Sequence, residues 1–209
     1  MKIIQPSFAI ESPVHDAEIL RHIERAARTC YKTEHKIGDL ENTRKFVARL
    51  IRSGHHTTIE HFSVTVRIIC DRGVTHELVR HRLAVYSQES TRYVNYAGEG
   101  IEIIHPPGLT TLQMQRREAH FWKVQELYEQ EIAEGLAPQI ARGVLPTALK
   151  TEIVMTANLR EWRHVFNLRA LGKAGKPHPQ MLELMVPMLK SFKHLIPVIF
   201  DDLVLEDEP

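Results

Sequence analysis

Cysteine is scarce: Cys30 and Cys70 are the only two in 209 residues. Two thiols so far apart, in a chain without a secretion signal, supply no disulfide framework. Both are expected to be structural, since free cysteine usually packs as a small hydrophobe, and a cysteine nucleophile is disfavoured. Met1 to Ile10 hold one lysine, then Gln5 and Pro6 interrupting a short apolar run, unlike a signal peptide; a cytoplasmic protein is expected. Long hydrophobic runs are missing too, so no membrane partner is expected. Nor does one sign of charge prevail: 27 Lys and Arg against 26 Asp and Glu leave a net charge of +1. That argues against a nucleic-acid partner, which usually needs a basic face, and makes any preference for anions local. Glycine fingerprints are absent as well. No Gly-x-Gly-x-x-Gly follows a strand and no Walker loop occurs, so a dinucleotide here must be held by side chains.

What is present is an ordinary globular composition, 43% hydrophobic and 25% charged. The length suits one domain over residues 1–209 with a substantial core. Five acids between Asp201 and Glu208 suggest a loose, solvated acidic tail over 201–209. Helical spacing predicts helices at Pro13–Arg28, Leu40–Arg52, Val74–Leu83, Leu109–Glu134, Gln139–Gly143, Leu159–Leu171 and His178–Leu195. In the helix from Leu109, Leu112, Ala119, Trp122 and Leu127 are the expected core side, with Val124 nearer its margin. Strands are expected at His61–Asp71, Ile101–His105 and Thr151–Ala157. Strands and helices without strict alternation favour an α+β fold, helices around a central, mainly antiparallel sheet, over a doubly wound one.

Three polar groupings stand out. Arg80 to Tyr93 packs three arginines, a histidine, two serines, a glutamine and a glutamate into fourteen residues, an anion cradle suited to a nucleotide. On a helix Arg80 and Arg82 point to different sides, so either the helix ends near Arg82 or the two serve different ligands or subunits. The run His55 to His61 invites a metal, yet fits no zinc template, leaving a polar ligand wall or structural histidines as alternatives. In the third grouping, Asn158 is placed to cap the following helix, Arg160 and His164 share a face, and Arg169 points elsewhere. On residues alone, a metal-dependent hydrolase using His55–His61 and a non-catalytic nucleotide-binding module both remain open.

Arg80-His81-Arg82 followed after seven residues by Ser90 resembles the signature of the flavin-dependent thymidylate synthases. His55 to His61, Leu145-Pro146 and Asn158 to Arg169 follow in the family's order. The resemblance implies an enzyme making dTMP from dUMP with methylenetetrahydrofolate, FAD and NADPH, as a homotetramer whose active sites are shared between subunits. It places FAD against Thr57, Arg80, His81, Arg82, Gln88, Asn158, Leu159, Arg160 and His164. It places dUMP against Glu77, Leu78, Val79, Arg80, Gln88, Glu89, Ser90, Thr91, Arg92, Arg142 and Arg169. Arg169 is the implied catalytic residue, favouring N3-ionised uracil, and no metal is implied. Many members have Asn-Glu where this chain has Ser87-Gln88, so the acidic partner falls one position later, at Glu89. Glu77 stands where glutamine is common, and His164 where asparagine can occur.

Overall fold

The computed structural model describes residues 1–205. Its strands are β1 (Lys2–Ile4), β2 (Ser7–Ile10), β3 (Ser63–Asp71), β4 (Ala84–Gln88), β5 (Glu102–Ile104) and β6 (Lys150–Asn158). Its helices are α1 (Asp16–Thr29), α2 (Leu40–Arg52), α3 (Arg72–Leu78), α4 (Thr111–Ala133), α5 (Pro138–Ala141), α6 (Leu159–Arg169), α7 (Pro179–Leu195) and α8 (Pro197–Phe200). The fold is α+β, with a four-stranded antiparallel sheet in the order β2-β3-β6-β4. The expected sheet is joined by an unforeseen parallel pair, β1 with β5, in which Ile3 lies opposite Ile103. Among the described residues no helix is long and apolar enough to cross a membrane.

β3 and β6 follow their period-two patterns. Val64, Val66, Ile68 and Cys70 are buried along one, and Thr151, Ile153, Met155 and Ala157 along the other. Burying such an aliphatic side chain contributes about 1.5–3 kcal/mol. The chain divides into two compact units, each assembled from three stretches. Met1–Phe8, Arg67–Arg80 and Tyr86–Val154 form the first; Ala9–Val66, His81–Val85 and the stretch from Met155 form the second.

The core of the first unit is Tyr96, Ile101, Ile103, Phe121, Tyr128, Ala141 and Leu149. This corrects the expected face of α4. Phe121, Gln125 and Tyr128 are its buried residues, while Leu112, Trp122 and Leu127 are exposed. Gln125 is tolerated inside because its Oε1 accepts from the Ile101 amide and its Nε2 donates to Glu129. The predicted helix from Val74 to Leu83 is also corrected. Asp71 caps α3 through the Val74 amide, the last helical residue is Leu78, and the Tyr86 hydroxyl donates to the Leu78 carbonyl at 2.7 Å. Arg80 and Arg82 therefore lie beyond the helix, in the connection to β4.

The second unit packs α1 on α2, and α7 on α6 and α8. Trp162, Phe166, Phe192 and Phe200 form a connected aromatic cluster at its centre, with centroid separations between 5.1 and 5.8 Å. The Trp162 indole donates to the Val64 carbonyl at 3.0 Å. The loose tail expected from Asp201 is corrected as far as Leu205. Asp202 takes both arms of the buried Arg163 guanidinium at 2.6 Å, and Leu203 and Leu205 are buried. The rest of that expectation, 206–209, lies outside the described residues. Cys70 is buried, and burial pushes its thiol well up; Cys30 is exposed, against expectation.

Candidate active site

The start of α6 builds one half of the candidate constellation. Asn158 caps it, its Oδ1 accepting from the Glu161 amide at 2.8 Å, which fixes Glu161 in the first turn. Glu161 and His164 stand three apart on one face, and both meet His81 of the second unit. The Nδ1 of His81 lies 3.5 Å from Glu161 Oε1, and its ring meets that of His164 edge-on at 5.6 Å between centroids. Arg169 completes the group, its Nε donating to His81 Nε2 at 3.2 Å. The expectation that Arg169 points away is thus overturned, because His81 spans the turn and a half separating it from His164. Burial, then the charges of Arg169 and His164, pull the His81 pKa down to about 4, so the ring is neutral at pH 7. Glu161 is pushed the other way, mainly by burial.

Among the described residues, His81, Glu161 and His164 are the ones whose ligand atoms come close enough to hold a metal ion. The Arg169 guanidinium already occupies His81 Nε2 and sets a fixed positive charge beside them, which disfavours a cation. The metal reading of His55 to His61 is not supported. His56 Nε2 bonds to the Ile51 carbonyl, the His61 carbonyl bonds to His22, and Glu60 pairs with Arg160. That segment is a 3-10 turn, with Thr57 exposed on it.

The first unit carries the other candidates. Gln88 Nε2 donates to the hydroxyls of Thr75 (3.1 Å) and Thr151 (3.2 Å), which pins the end of β4. The Glu89 carboxylate is fully engaged by protein. It accepts from the Tyr96 hydroxyl at 2.7 Å, Lys150 at 3.1 Å and the Glu152 amide at 3.2 Å. The acidic partner expected there therefore faces inward, and burial with that carboxylate holds the Tyr96 hydroxyl protonated. Beyond it, Ser90 Oγ accepts from the Arg92 amide and Arg142 donates to Thr91 Oγ1 at 3.3 Å. Arg80, Arg92 and Arg142 are exposed, as are Arg82 and Arg160 in the second unit. Leu78 and Leu159 are fully buried, so neither side chain faces a ligand; Val79 is exposed and Glu77 half-buried.

Sequence reasoning missed Glu161, Tyr96 and Lys150. The Glu161-x-x-His164 spacing on a predicted helix was a usable signal for the first. Nothing local announces the other two.

A family model described as "Thymidylate synthase complementing protein" matches residues 14–198. A flavin-dependent thymidylate synthase of Geobacter sulfurreducens is 34% identical over 85% of this chain and 78% of its own length. One from Corynebacterium efficiens is 33% identical over 96% of this chain and 85% of its own length. Among solved structures, a UMP/dUMP methylase, PolB, from Streptomyces cacaoi bound with 5-Br dUMP shares the fold. Its TM-score is 0.82 at 21% identity, covering 96% of both chains. With the Arg80-His81-Arg82 and Ser90 signature and the α6 constellation in place, the match across residues 14–198 and the relatives that carry it settle the family: the chain belongs to the flavin-dependent thymidylate synthases.

Proposed function

We propose that this protein is a methyltransferase that reductively methylates dUMP to dTMP, with methylenetetrahydrofolate as carbon donor and NADPH-reduced FAD as hydride source. The observation that carries the reading is the group around Arg169, a guanidinium held at Nε by a neutral imidazole that itself lies in the arginine signature. A guanidinium so held stabilises negative charge developing on a uracil ring, favouring its N3-ionised form. Arg92 and Arg142, both exposed, suit the nucleotide phosphate, and Ser90 keeps its hydroxyl proton to donate to the base or sugar.

The donor set also fits a flavin dinucleotide bound without a glycine-rich loop. Thr57, Arg80, Arg82, Arg160 and His164 are exposed cationic or hydrogen-bonding groups that suit a pyrophosphate. Arg160 is paired with Glu60, an exposed pair worth about 0–1 kcal/mol that a phosphate can displace. Gln88 and the Asn158 cap would set the local backbone. Bound FAD supplies the redox chemistry, and the protein binds and orients its partners. The active assembly is proposed to be a homotetramer with shared sites.

The test is direct. Purified protein should be yellow or take up FAD, and should form dTMP from dUMP, methylenetetrahydrofolate and NADPH, with UMP assayed alongside. A folded protein that neither binds FAD nor makes dTMP would overturn the reading; turnover of UMP in preference to dUMP would change the substrate.

A further inference from the structure

The geometry around His81 points to one further role, and the inference rests on the proposed part of Arg169 in binding and activating dUMP. An arginine Nε–H only donates, so His81 Nε2, which receives it at 3.2 Å, must carry a lone pair. A neutral ring with a lone pair on Nε2 bears its proton on Nδ1. That proton faces Glu161, whose Oε1 lies 3.5 Å from Nδ1. Both partners are buried, His81 at 4% and Glu161 at 5% exposure, so water does not compete for the contact. Glu161 is itself fixed by the Asn158 cap on its amide. We infer that Glu161 is a positioning residue: it selects the Nδ1–H tautomer of His81, and His81 in turn holds the Arg169 guanidinium in its working orientation. Histidines are set this way elsewhere, where a carboxylate on one ring nitrogen decides what the other presents.

The arrangement matters because the opposite tautomer cannot do the job. A ring protonated at Nε2 would set N–H against the Arg169 N–H, and the guanidinium would be pushed out of place. A misplacement of about 1 Å near reacting groups can cost on the order of 10²-fold in rate. Two substitutions separate the role from simple packing. Glu161→Met keeps length and helix propensity but offers no acceptor. Glu161→Gln keeps an acceptor oxygen without the charge.

The first readout needs no turnover. Imidazole nitrogen chemical shifts of the whole protein, with His81 assigned from the signal lost in His81→Gln, should show the proton on Nδ1 in the wild type. It should become mixed or move to Nε2 in Glu161→Met and stay on Nδ1 in Glu161→Gln. The second readout is dTMP formation: kcat is expected to fall on the order of 10²-fold in Glu161→Met, and to recover to within about threefold of wild type in Glu161→Gln. A wild-type ring protonated at Nε2 overturns the inference outright, even if Glu161→Met does not fold. A folded Glu161→Met with an unchanged tautomer, or with unchanged kcat, overturns it as well. Wild-type protein that binds FAD yet makes no dTMP while His81 keeps its Nδ1 proton defeats the proposed function and leaves the tautomer assignment standing.

Discussion

Arg169 is held by one edge of a planar fork, and lysine cannot reproduce that geometry with a point charge on a flexible stem. Arg169→Lys is therefore expected to keep FAD while losing on the order of 10²-fold in dUMP-dependent oxidation of the reduced enzyme; near-normal oxidation would refute the assignment. Ser90→Ala should be milder, within about tenfold, because one neutral hydrogen bond contributes about 0.5–1.5 kcal/mol; a folded variant with no activity would show Ser90 to be more than a hydrogen bond. His81 makes a prediction about pH. Its folded pKa of about 4 lies below the ordinary 6.5, so between these values the unfolded chain binds a proton that the folded one refuses. Stability from this group is whole above pH 6.5 and is lost as pH falls toward 4, up to about 3 kcal/mol. Glu161, with its pKa raised by burial, acts in the opposite direction. Urea unfolding at pH 7 and pH 4.5 should show a smaller acid loss in His81→Gln than in wild type. Of these residues, His81 and Ser90 were singled out in the sequence by the family signature and Arg169 by its position in the wider resemblance. Glu161 and the inward carboxylate of Glu89 were not, because a residue's partners lie far along the chain and periodicity reports only neighbours.

Among the elements, α2, β3, β6 and α6 follow the sequence closely, since each carries a clean apolar period and a capping or turn residue at its start. α4 does not. Its buried stripe includes Gln125 and Tyr128, whose polar atoms are satisfied by Ile101, Glu129 and the Tyr96 amide, so the hydrophobic pattern points to the wrong side. β4 was hidden for a related reason. It is the last strand of its sheet, and it turns Val85 outward while half-burying Tyr86 and Gln88. Tyr86 also ends α3 by taking the Leu78 carbonyl, so Tyr86→Phe should lower stability by about 1 kcal/mol, measurable as a shift in the urea midpoint. No change in midpoint would mean that water replaces the hydroxyl without loss. Gly100 is the stricter position. Its φ is +81°, and an added Cβ would sit 2.9 Å from Gln125 Oε1 and 3.1 Å from the Met1 nitrogen. Gly100→Ala is expected to destabilise by about 1–3 kcal/mol, and a variant as stable as wild type would show that this turn can relax.

For the whole molecule, the proposed assembly predicts a sedimentation mass four times that of the chain. It also predicts that inactive Arg82 and Arg169 variants, dissociated and reassociated together, regain dTMP formation, since some mixed sites would hold both intact arginines. Mixed oligomers no more active than their parents would place both arginines in one chain's site. The division into two units was not legible at all. Each unit is built from three separate stretches, and no composition break marks the joins. The briefest of these stretches is His81–Val85, five residues lying between Arg80 and Tyr86, which both belong to the first unit. The loop that contains it is closed within the first unit, where Tyr86 must reach back to Leu78, while His81 has its partners Glu161 and Arg169 within the second. Inserting or deleting one residue there would move Tyr86 relative to Leu78 by about 3.3 Å, the rise of an extended chain. Evolution is then free to lengthen this protein in its outer turns but not here, and when relatives are aligned their gaps should avoid the segment from Leu78 to Gln88.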